Sequence, residues 1–338
     1  MKKLKKQVIE LLNIVSPSGN EQPVINYVKP ELEKLCDKVW IDDYGNLLAE
    51  KVVGGVDYPT IILSAHMDSV NKYHPDRKVI ENNGVIRCTK GILGADDKAG
   101  IAIILAVLRN IGKTSFKGKI KVVFSREEEI GCVGADRINK QWISEAQLAI
   151  VVDRRGNRDI VVGCGKAYCS DAVADFFEDC SRLLGMDWKA VEGGVSDALV
   201  FSEAGINSVN LSAGYYNEHT DREYLVLKDM KSTVVLVLKA LSDVGIFVDT
   251  FGQVPATNSR LEYSRLYYFE KDGVFYYDYD VNGDVYIAET YRGHVLLTKG
   301  EWDQREKEIV IPEDVFESMV QAYLDTKKIT RMVEGLNG

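Results

Sequence analysis

Between residues 38 and 244 the chain alternates between two periods, and this constrains the fold more than any other feature. Short apolar runs, expected as strands, fall at Lys38 to Ile41, Asn46 to Lys51, Thr60 to Ser64, Ile120 to Ser125, Leu148 to Asp153 and Ser208 to Ser212. Between and after them lie segments with helical spacing of apolar residues: Lys98 to Asn110, Val133 to Gln141, Ser170 to Leu184, Asp197 to Ala204 and Leu227 to Val244. Two further helices, Leu4 to Val15 and Glu21 to Cys36, open the chain around the turn Ser16-Pro17-Ser18-Gly19-Asn20. A run such as Thr60 to Ser64, nearly unbroken in apolar residues, suits a strand covered on both faces, which calls for helices on both sides of a largely parallel sheet.

The pattern changes near residue 250. Gly252 to Ser259 reads as a polar linker, and Leu266 to Leu297 is rich in Tyr, Val and Ile at period two. Asp272-Gly273 and Asn282-Gly283 are hairpin signals, and a closing helix is expected from Glu313 to Lys327 after Pro312. With 338 residues the chain has room for two cores. The expected organisation is therefore an α/β catalytic domain with three layers, α/β/α, and a mixed central sheet over residues 1–250. A small β-rich (α+β) module of unknown role follows over 255–338.

Several function classes are excluded early. The 51 acidic residues outnumber 42 basic ones, and no basic cluster follows Lys2, Lys3, Lys5 and Lys6, so a grip on nucleic acid is not expected. The longest apolar run, Ile101 to Leu108, is far short of the ~18 residues of a membrane span, and no signal peptide is read at the N-terminus. Six cysteines without a CxxC pair suggest reduced thiols and a cytoplasmic setting. Gly163-Cys-Gly165-Lys166 lacks phosphate-loop spacing, no histidine is paired with Cys164 or Cys169, and His74 and His294 read as surface residues. Asp278-x-Asp280-x-Asn282-Gly283 with Glu289 satisfies a calcium-loop pattern, but its flanks are strand formers, so a hairpin is expected there.

The chemistry-bearing residues fall where strands end. His66 and Asp68 follow the third strand at i, i+2 spacing, which puts them on one face and lets Asp68 orient the ring. Asp96 and Asp97 lie at a loop-to-helix boundary, where one carboxylate can enter a site and the other cap the helix. Glu127, Glu128 and Glu129 end the next strand, Asp153 another, and Glu218 and His219 follow the last. Ligands of open α/β sheets gather at such carboxyl ends. Burying several carboxylates there costs several kcal/mol without a cation, so together they specify a metal site. Mixed histidine and carboxylate ligation without thiolates suits zinc, with manganese or cobalt also compatible, and the surplus of carboxylates suggests two ions.

His66-x-Asp68, Gly94-Ala-Asp-Asp-Lys-Ala-Gly100, Glu128-Glu129-Ile-Gly131, Asp153, Gly193-Gly-Val-Ser-Asp197-Ala and His219-Thr resemble the zinc-dependent exopeptidase superfamily, nearest its peptidase T-like branch. Ser16-Pro-Ser-Gly-Asn-Glu21 and Asp43-Tyr-Gly-Asn46 resemble the opening of those enzymes, and the likeness covers about residues 1 to 245. It implies one metal on His66 and Asp153, a second on Glu129 and His219, and Asp96 bridging both. Glu128 would be the general base, Asp68 would steady His66, and the Asp96–Asp97 peptide would be cis.

Those assignments describe amide hydrolysis. The ions acidify a water and polarise the scissile carbonyl, while Glu128 takes the proton and returns it to the leaving amine. Neighbours in a regular strand point oppositely, so the chain must leave strand geometry at Glu128–Glu129, and Gly131 makes a bend plausible. The tripeptidases and deacylases of that branch carry a lid domain after the residue matching Asp153. Residues 154–192 leave room for one strand, one helix and a turn, which resembles the single-domain aminopeptidases. Gly193 to Asp197 and Gly214 to Glu218 are expected as pocket walls. The expected function is a metallopeptidase of aminopeptidase type acting on short peptides. An amidohydrolase for N-acylated amino acids, and a non-catalytic peptide-binding protein on the same fold, stay open as alternatives.

Overall fold

In chain order the larger unit of the computed structural model contains α1 (Lys2–Leu12), α2 (Gln22–Glu33), β1 (Lys38–Ile41), β2 (Leu47–Val53), β3 (Thr60–His66), β4 (Val79–Asn82), β5 (Val85–Cys88) and α3 (Ala95–Asn110). It continues with β6 (Gly118–Ser125), α4 (Val133–Arg137), α5 (Lys140–Ile143), β7 (Leu148–Arg154), β8 (Asp159–Gly163), α6 (Asp171–Leu183) and β9 (Lys189–Glu192). It closes with α7 (Asp197–Glu203), β10 (Asn207–Ser212), β11 (Tyr215–Tyr216), β12 (Tyr224–Val226) and α8 (Leu227–Phe247). The structure describes residues 2–55 and 58–255 in full and, beyond them, the backbone of five strands between 267 and 312.

The central sheet runs β1-β2-β6-β3-β7-β10-β8-β9. Its four middle strands, β6, β3, β7 and β10, are mutually parallel, and antiparallel pairs at β1–β2, β2–β6 and β10–β8 make the sheet mixed. Every residue of β3 is buried, as its apolar run requires. Helix α3 is buried from Ala95 through Leu108 and packs against β3, β7, α1 and α8. Gly100 permits that approach: a Cβ there would lie 2.1 Å from the Val152 carbonyl oxygen. Ile120, Val122 and Phe124 of β6 join the core on the α3 side, while Lys121 points the other way and donates to the carbonyl of Trp142 in α5. Ala135 of α4 and Val200 of α7 pack together with Cys132, and α7 lies against β7 and β10. Helices therefore cover both faces, giving three layers.

Several expected elements end differently. The helix expected over 133–141 is two short ones, because Ile138 is extended (φ −64°, ψ 142°) and Asn139 caps α5, its side chain accepting from the Trp142 N–H. Residues 154–192 hold two strands and one helix where one strand was expected, and β8 and β9 extend the central sheet. A second sheet, β11-β12-β5-β4, was not expected. His74, expected at the surface, is half-buried, its Nδ1 accepting from the Asp76 N–H.

The second unit contains β13 (Tyr267–Lys271), β14 (Val274–Val281), β15 (Asp284–Tyr291), β16 (His294–Lys299) and β17 (Lys307–Pro312), all paired antiparallel in sequence order. Val281 stands opposite Asp284, so β14 and β15 are joined across two residues, and Asp278, Asp280 and Glu289 of the calcium-loop pattern lie on paired strands, while Asn282 and Gly283 lie outside the described residues. The helix expected at 313–327 lies outside the described residues. Among the described residues no helix is long and apolar enough to cross a membrane.

Candidate metal centre

The four parallel strands in the middle of the sheet end on the same edge, and each leads into one part of a cluster. His66 is the last residue of β3, Asp153 is the penultimate residue of β7, Glu128 and Glu129 follow β6, and His219 follows β10 and β11. Asp96 comes in from the start of α3, where Asp96 (φ −74°, ψ 109°) and Asp97 (φ −117°, ψ 42°) depart from helical geometry across a cis peptide. All seven residues expected in the site, including Asp68, are brought together.

Asp96 offers one oxygen to each histidine. Its Oδ1 lies 2.9 Å from His66 Nε2 and its Oδ2 lies 3.2 Å from His219 Nε2. Asp153 Oδ1 is 3.3 Å from His66 Nε2, and Glu129 Oε2 is 2.8 Å from His219 Nε2. Glu128 stands a little farther off, its Oε2 3.9 Å from His66 Nε2. Donor atoms of His66, Glu128 and Asp153, and of His66, Asp96 and Glu129, lie within 4.8 Å of one another. His66 is almost wholly buried, whereas His219 is 40 % exposed, so the cluster opens on the His219 side.

Asp68 does more than its spacing suggested. Its Oδ1 is 3.2 Å from His66 Nδ1, and its two oxygens also accept the backbone N–H groups of Glu128 (3.0 Å) and Glu129 (3.2 Å). Ser18 Oγ donates to the same carboxylate at 2.7 Å. Asp97 accepts from the His66 N–H (3.3 Å) and the Gly100 N–H (2.9 Å), so it caps α3 and braces β3. The bend after β6 is made by Glu127 (φ 55°) and Cys132 (φ 54°) as well as Gly131 (φ 115°). Asn46 and Glu21 anchor that bend through Arg126: Asn46 Oδ1 accepts its N–H, and Glu21 Oε2 lies 2.7 Å from its Nε.

The electrostatics show a site short of positive charge. Burial and the neighbouring carboxylates push Glu128 well above the usual carboxylate range, raise Glu129, and bring Asp153 to about 7. Burial likewise raises Asp197 to about 6. Asp96, hydrogen-bonded to both histidines, is lowered despite its burial. The same carboxylates raise His66 and His219, the latter to about 11. Two imidazoles cannot neutralise this many buried acids, so the donor set fits divalent cations. Oxygen and nitrogen donors without a thiolate are compatible with zinc, manganese or cobalt.

Three contributors had roles the sequence did not reveal, although Tyr215 lies in an expected pocket wall and Ser18 in the opening motif. Tyr215 Oη donates to the Asp153 carbonyl (2.9 Å) and to its Oδ1 (3.1 Å), Ser18 supports Asp68, and Glu223 binds the Asp96 turn. A signal for the last was the short spacing from His219. Of the expected pocket walls, Val195 is exposed, but Asp197 is buried and accepts from Ser125 Oγ. Glu218 pairs with Arg155 at 2.8 Å.

The sequence model of "Peptidase family M28" matches residues 46–230. A putative [LysW]-lysine/[LysW]-ornithine hydrolase of Pyrococcus abyssi is 27% identical over 191 residues, 56% of this chain and 49% of that protein. Peptidase T of Clostridium botulinum is 35% identical over 117 residues, 33% of this chain and 28% of the relative. The chain spans about half or less of the length of such curated relatives. The crystal structure of aminopeptidase PepT from Bacillus cereus superposes with a TM-score of 0.64 at 20% identity, covering 72% of this chain and 98% of that one, which establishes a shared fold.

Proposed function

The chain belongs to peptidase family M28, and from that premise we propose that it is a metal-dependent exopeptidase, an aminopeptidase that acts on short peptides with two divalent ions. The observation that carries the reading is Asp96, with one carboxylate oxygen beside His66 and the other beside His219. His66 and Asp153 would hold one ion and Glu129 and His219 the other, with Asp96 shared; zinc suits these donors. Bound there, the ions supply an acidified water and a polarised scissile carbonyl.

The remaining steps belong to the protein. Glu128 takes a proton from the attacking water on its carboxylate and returns it to the leaving amine, a role suited to a carboxylate that stands beside His66 outside the five ligands. Asp68 holds the Glu128–Glu129 backbone and faces the His66 ring, so one side chain positions both the base and a ligand. Tyr215 fixes the Asp153 carboxylate. Peptidase T supports a peptidase by name, and the aminopeptidase PepT the aminopeptidase reading. The Pyrococcus abyssi relative is named a [LysW]-lysine/[LysW]-ornithine hydrolase and not a peptidase, which keeps a second reading in play, hydrolysis of N-acylated amino acids at the same centre.

The test is release of amino acids from free-amine di- and tripeptides beside N-acylated equivalents, after loading with zinc, manganese or cobalt. Hydrolysis of the free-amine set alone is expected; hydrolysis of only the blocked set transfers the assignment to the second reading. Glu128→Ala is expected to abolish turnover with metal content unchanged, and Asp96→Ala to lose both. Near-normal activity in either variant refutes the roles given.

A further inference from the structure

We propose that Glu223 is a positioning residue that sets the spacing between Asp96 and His219, and thereby the affinity for one of the two ions. The proposal rests on the metal-site reading above. Glu223 is buried, and its carboxylate accepts three consecutive backbone N–H groups: Gly94 at 2.8 Å on Oε2, and Ala95 at 2.7 Å and Asp96 at 3.2 Å on Oε1. Successive N–H groups converge this way where a left-handed residue precedes a turn, and Gly94 has φ 70° and ψ 35°. Both oxygens are occupied by backbone, which makes Glu223 a brace for the site.

Its other end is tied to His219. Glu223 follows that histidine by four residues, and its own N–H donates to the Thr220 carbonyl at 3.2 Å. Thr220 Oγ1 donates to the Asn217 carbonyl at 2.7 Å and accepts from the Arg222 N–H at 3.2 Å, closing a turn in which His219 has φ 62°. One carboxylate thus joins the turn that carries His219 to the turn that carries Asp96, two segments far apart in the chain. Because the Asp96 N–H is itself one of the three donors, Glu223 also fixes the peptide from which the Asp96 side chain projects. His66 and Asp153 are held separately, by Asp68, Tyr215 and the central strands. Loss of Glu223 should therefore weaken one ion more than the other.

The experiment is calorimetric titration of the metal-free full chain with zinc, for the wild type, Glu223→Gln and Glu223→Ala, with peptide hydrolysis followed alongside. Both variants should melt cooperatively. In each, the ion on Glu129 and His219 should bind about 10- to 100-fold more weakly, and the ion on His66 and Asp153, which has only Asp96 in common with it, should lose clearly less. The kcat lost at limiting zinc should return with excess zinc at unchanged KM. Wild-type affinity for both ions in both variants overturns the proposal, as does equal weakening of the two, which would mean general loosening. If Glu223→Ala does not fold, Glu223→Gln decides. A wild type that binds two ions yet cleaves no peptide removes the aminopeptidase reading and leaves this one standing if the variants behave as stated. A wild type that binds no zinc removes both.

Discussion

At the scale of single residues the centre is a set of acids held together against their charge, and this fixes the sign of its pH dependence. Burial raises Asp153 to about 7 and Asp197 to about 6. A carboxyl whose folded pKa exceeds its unfolded one stabilises the fold below the unfolded pKa, and that contribution is lost as pH rises through the folded value. The raised histidines act in the same direction. The metal-free protein should therefore lose melting temperature between pH 5 and 8, and Asp197→Asn should flatten the part of that fall near pH 6. For Asp197 the whole loss, about 3 kcal/mol, is spread between about pH 4 and 6, so roughly 1 kcal/mol of it falls within this window. Thermal melts at several pH values in a chelating buffer measure it; a metal-free melting temperature that climbs over this range contradicts the picture. His66 and Asp153 were legible in the sequence because titratable groups at the ends of apolar strands are conspicuous, and Asp96 because paired carboxylates open a helix. The roles of Tyr215 and Ser18 were not, though both lie in segments singled out there, since a hydroxyl announces nothing until its partner is known.

At the scale of elements, the centre depends on how closely α3 approaches the sheet. A methyl group on Gly100 would meet the Val152 carbonyl at 2.1 Å and both Asp97 carboxylate oxygens at 2.5 and 2.6 Å. Gly100→Ala must push the helix off β7 or expel the Asp97 cap, and is expected to cost about 1–3 kcal/mol or more and to weaken metal binding as the Asp96 turn shifts. Urea denaturation with zinc titration checks this; an unchanged midpoint would show that the helix has room. The central strands and the long helices were legible because burial on both faces, or on one helical stripe, leaves a periodic trace. The sheet β11-β12-β5-β4 left little trace, since its strands have two to four residues and several of them are partly exposed. The split between α4 and α5 was masked by apolar spacing that continues across Ile138.

At the scale of the whole molecule, the two units differ in how they were read. The α/β unit contains every residue assigned to the centre, whereas in the second unit the strands were anticipated from Tyr-rich alternation and paired turns, with β17 an addition. The donors gather at the ends of neighbouring strands and at the start of α3, yet are supplied by widely separated parts of the chain, from His66 to His219. Until β6, β3, β7 and β10 are all in register there is nothing for a cation to chelate, so the ion cannot nucleate this fold as it does in a zinc finger. Metal capture should then be the last event of maturation. During refolding, uptake from a zinc-sensitive dye should lag behind recovery of far-ultraviolet ellipticity, and adding zinc at the outset should leave the rate of sheet formation unchanged.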